Sequence, residues 1–257
     1  MALPAVDLVI VHRETPGPVL RTVADFLDQS LVPRIVVVDN GSTPATVVRL
    51  RAELPAGVEL VEAGANTGFG PGANIGFRWF LAHDPAPWLA VCPHDAHPLP
   101  GCVERLVCVA AEQPRAGLAS ADVGDGLTPV LDRYFGAIPA AATVDEGWAP
   151  AGYPHGTLML ARRACLSDVG LFDERYFAYC EEAELAIRAK AAGWQVGVVR
   201  GAEVLSYADC GVIPVVDAAG RLRGVVTDRD VCMAAYTQGK PPHDISVESV
   251  MSKLLFT

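Results

Sequence analysis

Ile35-Val36-Val37-Val38-Asp39-Asn40-Gly41-Ser42 is the stretch that decides the fold. Four β-branched residues with no polar interruption make a strand covered on both faces, as in a parallel sheet flanked by helices. The run stops at Asp-Asn-Gly-Ser, a turn-forming cluster. Working outward, Val6 to Val11 reads as an earlier strand. Pro18 to Ser30, apolar at 19, 20, 23, 26 and 27, reads as one face of the helix between the two. On the other side come a helix over 44–53 and a strand over 58–62. A glycine-rich loop follows, Asn66-Thr-Gly68-Phe-Gly70-Pro-Gly-Ala-Asn74-Ile-Gly76, leading into a helix through Phe77, Phe80 and Leu81. Trp88 to Cys92 is a further strand, ending at Pro93-His94-Asp95-Ala96-His97-Pro98. This alternation predicts an α/β domain with a largely parallel sheet. Polar or glycine-rich punctuation follows three successive strands at one sheet edge, and ligands of open α/β sheets bind outside the carboxyl ends of strands.

Beyond residue 100 the pattern weakens. Residues 120–150, rich in Gly, Ala, Asp and Pro, read as a long loop or excursion. A strand resumes over 156–163, the aromatic run Leu171 to Tyr179 follows, and a helix extends from Glu181 to Ala192 before a capping Gly193. The register changes near 205. Val212 to Val216 and Leu222 to Thr227 then read as two strands joined by the turn Asp217 to Gly220, with a helix from Arg229. These signals divide the chain into residues 1–205 and 206–257.

The chain has 257 residues, 20 Lys+Arg against 30 Asp+Glu, and a formal net charge of -10. That is length for one domain and part of another. An acidic surface disfavours nucleic acid and anionic lipid as general partners. No apolar run approaches the ~18 residues of a membrane span, and the N-terminus has no basic leader. Seven cysteines without a Cys-x-x-Cys spacing support neither a disulfide framework nor a zinc knuckle. Most read as small buried apolar residues, and the expected location is a reducing cytoplasm.

Several residues invite a chemical reading beside a plain one. Asp39, at a strand end, either accepts hydrogen bonds from a ribose or base amide or caps the following turn. Gly68 to Ala73 formally fits the dinucleotide fingerprint, but two βα units precede it, which argues against an oxidoreductase. The stretch is otherwise a packing loop, with Asn66 and Asn74 suited to a polar ligand. Asp95 and His97, two apart in an extended backbone, share a side and are spaced to chelate a divalent ion; the alternative is a solvated turn. Glu181, Glu182 and Glu184 open a helix where carboxylates are favoured. Glu184 is placed to pair with Arg188. Glu181 and Glu182, behind the aromatic wall Tyr176 to Tyr179, are candidates for a general base.

Taken in order, VVVDNGS (36–42), NTGFGPGANIGF (66–77), HDAHPLPG (94–101) and GTLMLARRACLSDVGLFDERYFAYCEEAELAIRAKAAGW (156–194) resemble family 2 glycosyltransferases of the GT-A fold, in the rhamnosyl- and galactofuranosyltransferase-like branch. The resemblance covers residues 4–204. It implies an inverting transferase moving a sugar from a UDP- or dTDP-linked donor to a glycan or lipid-linked acceptor, in the cytoplasm and peripheral at the inner face of the membrane. By match, donor contacts fall to His12, Glu14, Asp39, Asn66, Gly68, Asn74 and Asp95, and Mn2+ or Mg2+ to Asp95 with His97. Glu182 is the base, with Glu181 the nearby alternative. Three positions depart from the family: His97 stands where a second Asp is common, Glu182 where the base is usually Asp, and Val204-Leu-Ser206-Tyr lacks the customary histidine. From Tyr207 the chain resembles the later half of a CBS (cystathionine-β-synthase-type) module, a small α/β fragment. This implies adenosine-nucleotide contacts at Thr227 and Asp230 and, since such modules work in pairs, a homodimer. A non-catalytic nucleotide-binding regulator is the rival reading. A nucleotidyltransferase is a weaker one, because His12-Arg-Glu-Thr-Pro is no basic glycine loop.

Overall fold

The fold is that of a computed structural model, which describes residues 3–83, 85–132, 136–206, 213–216, 222–226 and 245–250. The chain divides into two compact units, Met1–Tyr207 and Ala208–Thr257. The first is built on a nine-stranded, mostly parallel sheet. Its parallel half contains β1 (Val6–His12), β2 (Arg34–Asp39), β3 (Glu59–Glu62) and β4 (Trp88–Pro93), in the order β3-β2-β1-β4. Beyond β4 lie β10 (Met159–Arg162), antiparallel to both its neighbours, then β6 (Ala116–Asp122) and β11 (Gln195–Ser206), which are parallel to each other. The short β5 (Ala96–Pro98) and β9 (Gly147–Pro150) pair antiparallel with β11.

The unbroken valine runs are covered on both faces, as their composition demands. Leu8, Ile10, Ile35 and Val37 point to one side, where they meet α1 (Pro16–Leu27), α2 (Pro44–Glu53) and α4 (Cys102–Glu112). Val9, Val11, Val36 and Val38 point to the other, under α3 (Phe69–Ala82), α5 (Arg163–Val169) and α6 (Glu181–Ala191). Two cores thus clamp one sheet, and the residues at the strand ends are left to face the edge.

Residues 120–150 are not the loop their composition suggests. They carry the end of β6, a hairpin of β7 (Leu127–Asp132) and β8 (Gly136–Ala141), and β9. Proline, alanine and glycine hide the period-2 alternation there, although the hairpin pairs Leu127 with Ala141 through Asp132 with Gly136. The glycine stretch is also shorter as a loop than expected. Helix α3 begins at Phe69, so Gly70, Pro71 and Gly72 form its first turn and let it pack close to β1. At Gly76 a Cβ would sit 2.5 Å from a Val9 methyl.

In the second unit the described residues include an antiparallel pair, β12 (Ile213–Val216) and β13 (Leu222–Val226), and a helical turn at Val247–Val250. Thr227, Asp230 and the helix expected from Arg229 lie outside the described residues. Among the described residues no helix is long and apolar enough to cross a membrane.

Candidate active site

The register of the parallel strands places the last residues of β1, β2 and β4 side by side: His12 faces Asp39, and Val11 faces Pro93. Both His12 and Asp39 are buried, yet three of their polar atoms have no partner: both ring nitrogens of His12 and Oδ1 of Asp39. The other Asp39 oxygen accepts the Ser42 backbone N–H at 3.1 Å. His12 Nε2 lies 3.9 Å from Asp39 Oδ1, beyond hydrogen-bond reach. His94 stands edge-on to His12, with 5.7 Å between ring centroids. Burial, then the neighbouring His94, push the His12 pKa down to about 4 against the pull of Asp39 and Glu14, so the ring is neutral near pH 7. A buried carboxylate oxygen left bare costs about 1–3 kcal/mol, which a hydrogen-bond donor on a ligand would relieve. Beside Asp39 opens a cleft of about 230 Å³ edged by Gly41, Ser42, Pro44, Val47, Glu62 and Gly64.

The loop opposite is fastened by Asn40, a residue the motif reading passed over. Its Nδ2 donates to the Gly68 carbonyl at 2.9 Å and to Asn66 Oδ1 at 3.3 Å, and its Oδ1 accepts from Thr67 N and Oγ1. Its only sequence signal was its place after Asp39 in Asp-Asn-Gly-Ser. Gly41 makes the approach feasible: its φ is +79°, and a Cβ there would lie 2.4 Å from the Ala65 carbonyl carbon.

A second group of carboxylates stands where α6 begins. The preceding Tyr179 and Cys180 both hold φ of 69°, a left-handed pair without glycine. Such strain persists only where the surroundings enforce it, and it collects at functional sites. It delivers Glu181 into a buried position with Oε2 unpartnered. Gly70 makes the room, since a Cβ there would be 3.4 Å from Glu181 Cβ and Cγ. Burial first, then Glu182, push the Glu181 carboxyl up to about 8. Glu182 is half-buried beside it.

A buried strand-end carboxylate beside a cleft and an acidic pair heading a helix, both set on a mostly parallel sheet, are compatible with the family resemblance of the sequence. Residues 8–169 match the family described as Glycosyl transferase family 2. The chain belongs to glycosyl transferase family 2. Like that family, it is a glycosyltransferase. Over 231 residues it is 29% identical to N-acetylglucosaminyl-diphospho-decaprenol L-rhamnosyltransferase of Mycobacterium tuberculosis, covering 77% of this chain and 75% of that one. Over 176 residues it is 25% identical to the low-salt glycan biosynthesis hexosyltransferase Agl10 of Haloferax volcanii, covering 65% and 56%. Among solved structures it resembles GalNAc-T7 with UDP, GalNAc and Mn2+ (TM-score 0.67, 15% identity, 79% of this chain and 44% of that one). It also resembles the mannosyltransferase PcManGT from Pyrobaculum calidifontis with GDP-Man and Mn2+ (TM-score 0.59, 16% identity, 80% and 57%). These likenesses show the GT-A fold, and the chain spans about half the length of those two proteins.

The remaining residues implied by the family resemblance fall into place unequally. Asn66 is exposed at the loop, its Oδ1 accepting from Gly68 N and Asn40. Asn74 is not available to a donor: it is fully buried, with Nδ2 donating to the Phe172 carbonyl and Glu174, and Oδ1 accepting Phe172 N–H. Gly68 serves packing, because at φ +95° its missing Cβ would collide with the Phe177 carbonyl oxygen at 1.9 Å. Glu14 spends both carboxylate oxygens on the start of α2, accepting from Thr43 N, Thr43 Oγ1 and Thr46 Oγ1. Desolvation, the largest single influence, raises its pKa, but those donors and Arg13 together outweigh it and hold the carboxyl below the ordinary range.

Asp95 and His97 do not share one side as expected. Asp95 sits in the turn after β4 rather than in a strand, and its Oδ2 accepts the hydroxyl of Ser206 at 2.8 Å. His97 lies in β5, where its Nδ1 is 2.6 Å from Asp25 of α1. Among the described residues no three His, Cys, Asp or Glu side chains gather around a common point. A divalent ion of the Mg2+ or Mn2+ kind is often held by one or two carboxylates plus substrate phosphates. Asp95 fits that donor set, and His97 as placed does not join it. Ser206, at the end of β11 and opposite Ala96, occupies the region where the family's histidine is absent. Glu184 pairs with Arg188 as expected, at 2.6 Å, and Arg188 also donates to the carbonyls of Val169 and Leu171.

Proposed function

We propose that this protein transfers a sugar from a UDP- or dTDP-linked donor to a hydroxyl of a lipid-linked or glycan acceptor, with inversion and with a divalent cation. The carrying observation is the unpartnered Oδ1 of buried Asp39 at the carboxyl edge of the sheet. It favours a ligand N–H or hydroxyl, and the adjoining cleft is of nucleobase-and-ribose size. His12, buried and neutral beside it with both ring nitrogens unpartnered, is a second donor-binding candidate at this edge. Asp95 would hold a divalent ion together with the donor's diphosphate; when bound, the ion offsets the charge that builds on the departing diphosphate.

Glu182 takes the proton of the acceptor hydroxyl as its oxygen bonds to the anomeric carbon. The bond from that carbon to the diphosphate breaks on the opposite face, so the product has inverted configuration. Near pH 7 Glu181 holds its proton, so Glu182 faces no like charge from its neighbour. The Mycobacterium relative's name, with its N-acetylglucosaminyl-diphospho-decaprenol acceptor and L-rhamnosyl donor, supports a lipid-linked acceptor bearing an amino sugar. The reaction then belongs to cell-wall or polysaccharide synthesis. An acceptor of that kind supports a location at the inner face of the membrane. The second unit is a CBS-like fragment with Thr227 and Asp230 for an adenosine nucleotide. Its resemblance in sequence and its β12–β13 hairpin support this.

Slow hydrolysis of UDP- and dTDP-sugars tests both parts. Wild type is expected to release nucleoside diphosphate, and Glu182→Gln to lose at least 100-fold in transfer while binding donor normally. AMP binding is expected to disappear in Asp230→Ala. Full activity in Glu182→Gln would remove it as the base, and AMP binding unchanged in Asp230→Ala would remove the CBS reading.

A further inference from the structure

We infer that Asn40 is a positioning residue for the acidic pair: through the loop it clamps, it ties the donor edge to the turn that carries Glu181 and Glu182, an inference that rests on the transferase reading above. Asn40 is itself anchored, since it is buried and its backbone N–H donates to the His12 carbonyl at 2.8 Å. An asparagine amide offers two donor hydrogens and an oxygen with two lone pairs. All are used, and all on residues 66–68: Nδ2 donates to Asn66 and Gly68, while Oδ1 accepts the N–H and the hydroxyl of Thr67.

The clamped loop runs directly into a second set of contacts on its far side. Phe69 N–H donates to the Phe177 carbonyl at 2.8 Å. Gly68 lies so close to that same carbonyl that a Cβ on it would fall 1.9 Å from the oxygen, and Gly70 leaves 3.4 Å for Glu181 Cβ and Cγ. Three consecutive residues thus seat the segment from Phe177 to Glu181. Gly68 belongs to both sets, with its carbonyl on Asn40 and its α-carbon against Phe177.

Strained backbone depends on this seating. Tyr179 and Cys180, both at φ 69°, follow Phe177 by two and three residues. Side-chain-bearing residues keep such angles only where the surroundings enforce them. If the loop lets go of Phe177, the pair is free to relax and the first turn of α6, with Glu182, turns with it. At the other end, a donor held by Asp39 restrains the residue next to Asn40. Coupling between two such sites is reciprocal: a bound donor steadies the turn, and a seated turn favours the donor. The base is then held in place when there is a sugar to transfer.

Hydrogen–deuterium exchange of the full chain tests this, with UDP and dTDP as probes, each with Mn2+. Peptides over 176–184 report the turn, and peptides over 102–112 of α4 serve as reference. At least one nucleotide should slow exchange over 176–184 severalfold in wild type. Asn40→Ala cuts the link at the donor end, and Gly68→Ala cuts it at the Phe177 end. Each should speed exchange over 176–184 at least tenfold, leave α4 within twofold of wild type, and abolish the protection by nucleotide. In slow donor hydrolysis Gly68→Ala should lower kcat at least tenfold with KM changed less than threefold. Exchange over 176–184 that stays at the wild-type rate in either folded variant, or that rises no more than in α4, overturns the inference. So does a wild type that binds nucleotide without added protection of the turn, and so does a Gly68→Ala whose loss lies in KM alone. A turn loosened by both variants, in a protein that binds neither nucleotide, would keep the mechanical link and sink the donor reading.

Discussion

Glu181 and His12 are buried ionisable groups on opposite sides of the pH scale, and their titrations make a prediction. Glu181 keeps its proton up to about pH 8 in the fold, whereas the unfolded chain releases it above the ordinary 4.5. Folding therefore binds a proton in that window, and stability falls as pH rises from 4.5 to 8, by at most about 1.4 kcal/mol per unit. His12 titrates near 4 in the fold against 6.5 unfolded, so its contribution is lost as pH falls from 6.5 to 4. The two oppose one another between 4.5 and 6.5, and above 6.5 only the Glu181 slope remains. Glu181→Gln should thus melt above wild type by a margin that widens from pH 5 to pH 8. A margin constant with pH, in thermal melts without nucleotide, would contradict the burial argued for Glu181. Of these residues, Asp39 and the acidic pair were legible as types at strand and helix ends. His12 was legible only as a donor contact by family match, and its burial was not, because burial depends on what packs over a strand end.

At the scale of elements, helix α3 is latched to the turn before α6 by Asn74 and Phe172, residues nearly a hundred positions apart. Such a pairing has no local signature, which is why Asn74 resembled a ligand contact. Asn74→Ala would leave the Phe172 N–H and carbonyl buried and unpartnered, a cost of about 3 kcal/mol. The urea midpoint should fall by roughly 1–2 M. Donor affinity measured well below that midpoint should change less than threefold. A large loss of affinity with an unmoved midpoint would return Asn74 to the donor site. The strands and helices of the first hundred residues were legible because short β-branched runs bounded by turn residues mark strands, and 3.6-residue spacing marks the helices between them. The β7–β8 hairpin was not, since Thr-Pro-Val and Ala-Ile-Pro-Ala lack the apolar-polar alternation that marks a strand.

For the molecule as a whole, the sheet gathers residues from distant parts of the sequence onto one edge, with His12, Asp39, His94 and Asp95 at adjacent strand ends. The order of the motifs was enough to read the GT-A arrangement, and the family match over residues 8–169 agrees with it. The side-chain pairing of His97 with Asp25 was out of reach, because it depends on where α1 crosses β5. The defining property proposed for that edge is binding of a nucleotide-sugar. Calorimetric titration of the full chain with UDP-glucose, UDP-N-acetylglucosamine and dTDP-rhamnose, with and without Mn2+, measures this directly. The expected result is binding of at least one donor, tightened at least tenfold by Mn2+, with the Mn2+ effect lost in Asp95→Ala and affinity reduced about tenfold in Asp39→Asn. No binding of any of the three, with or without the metal, would contradict it.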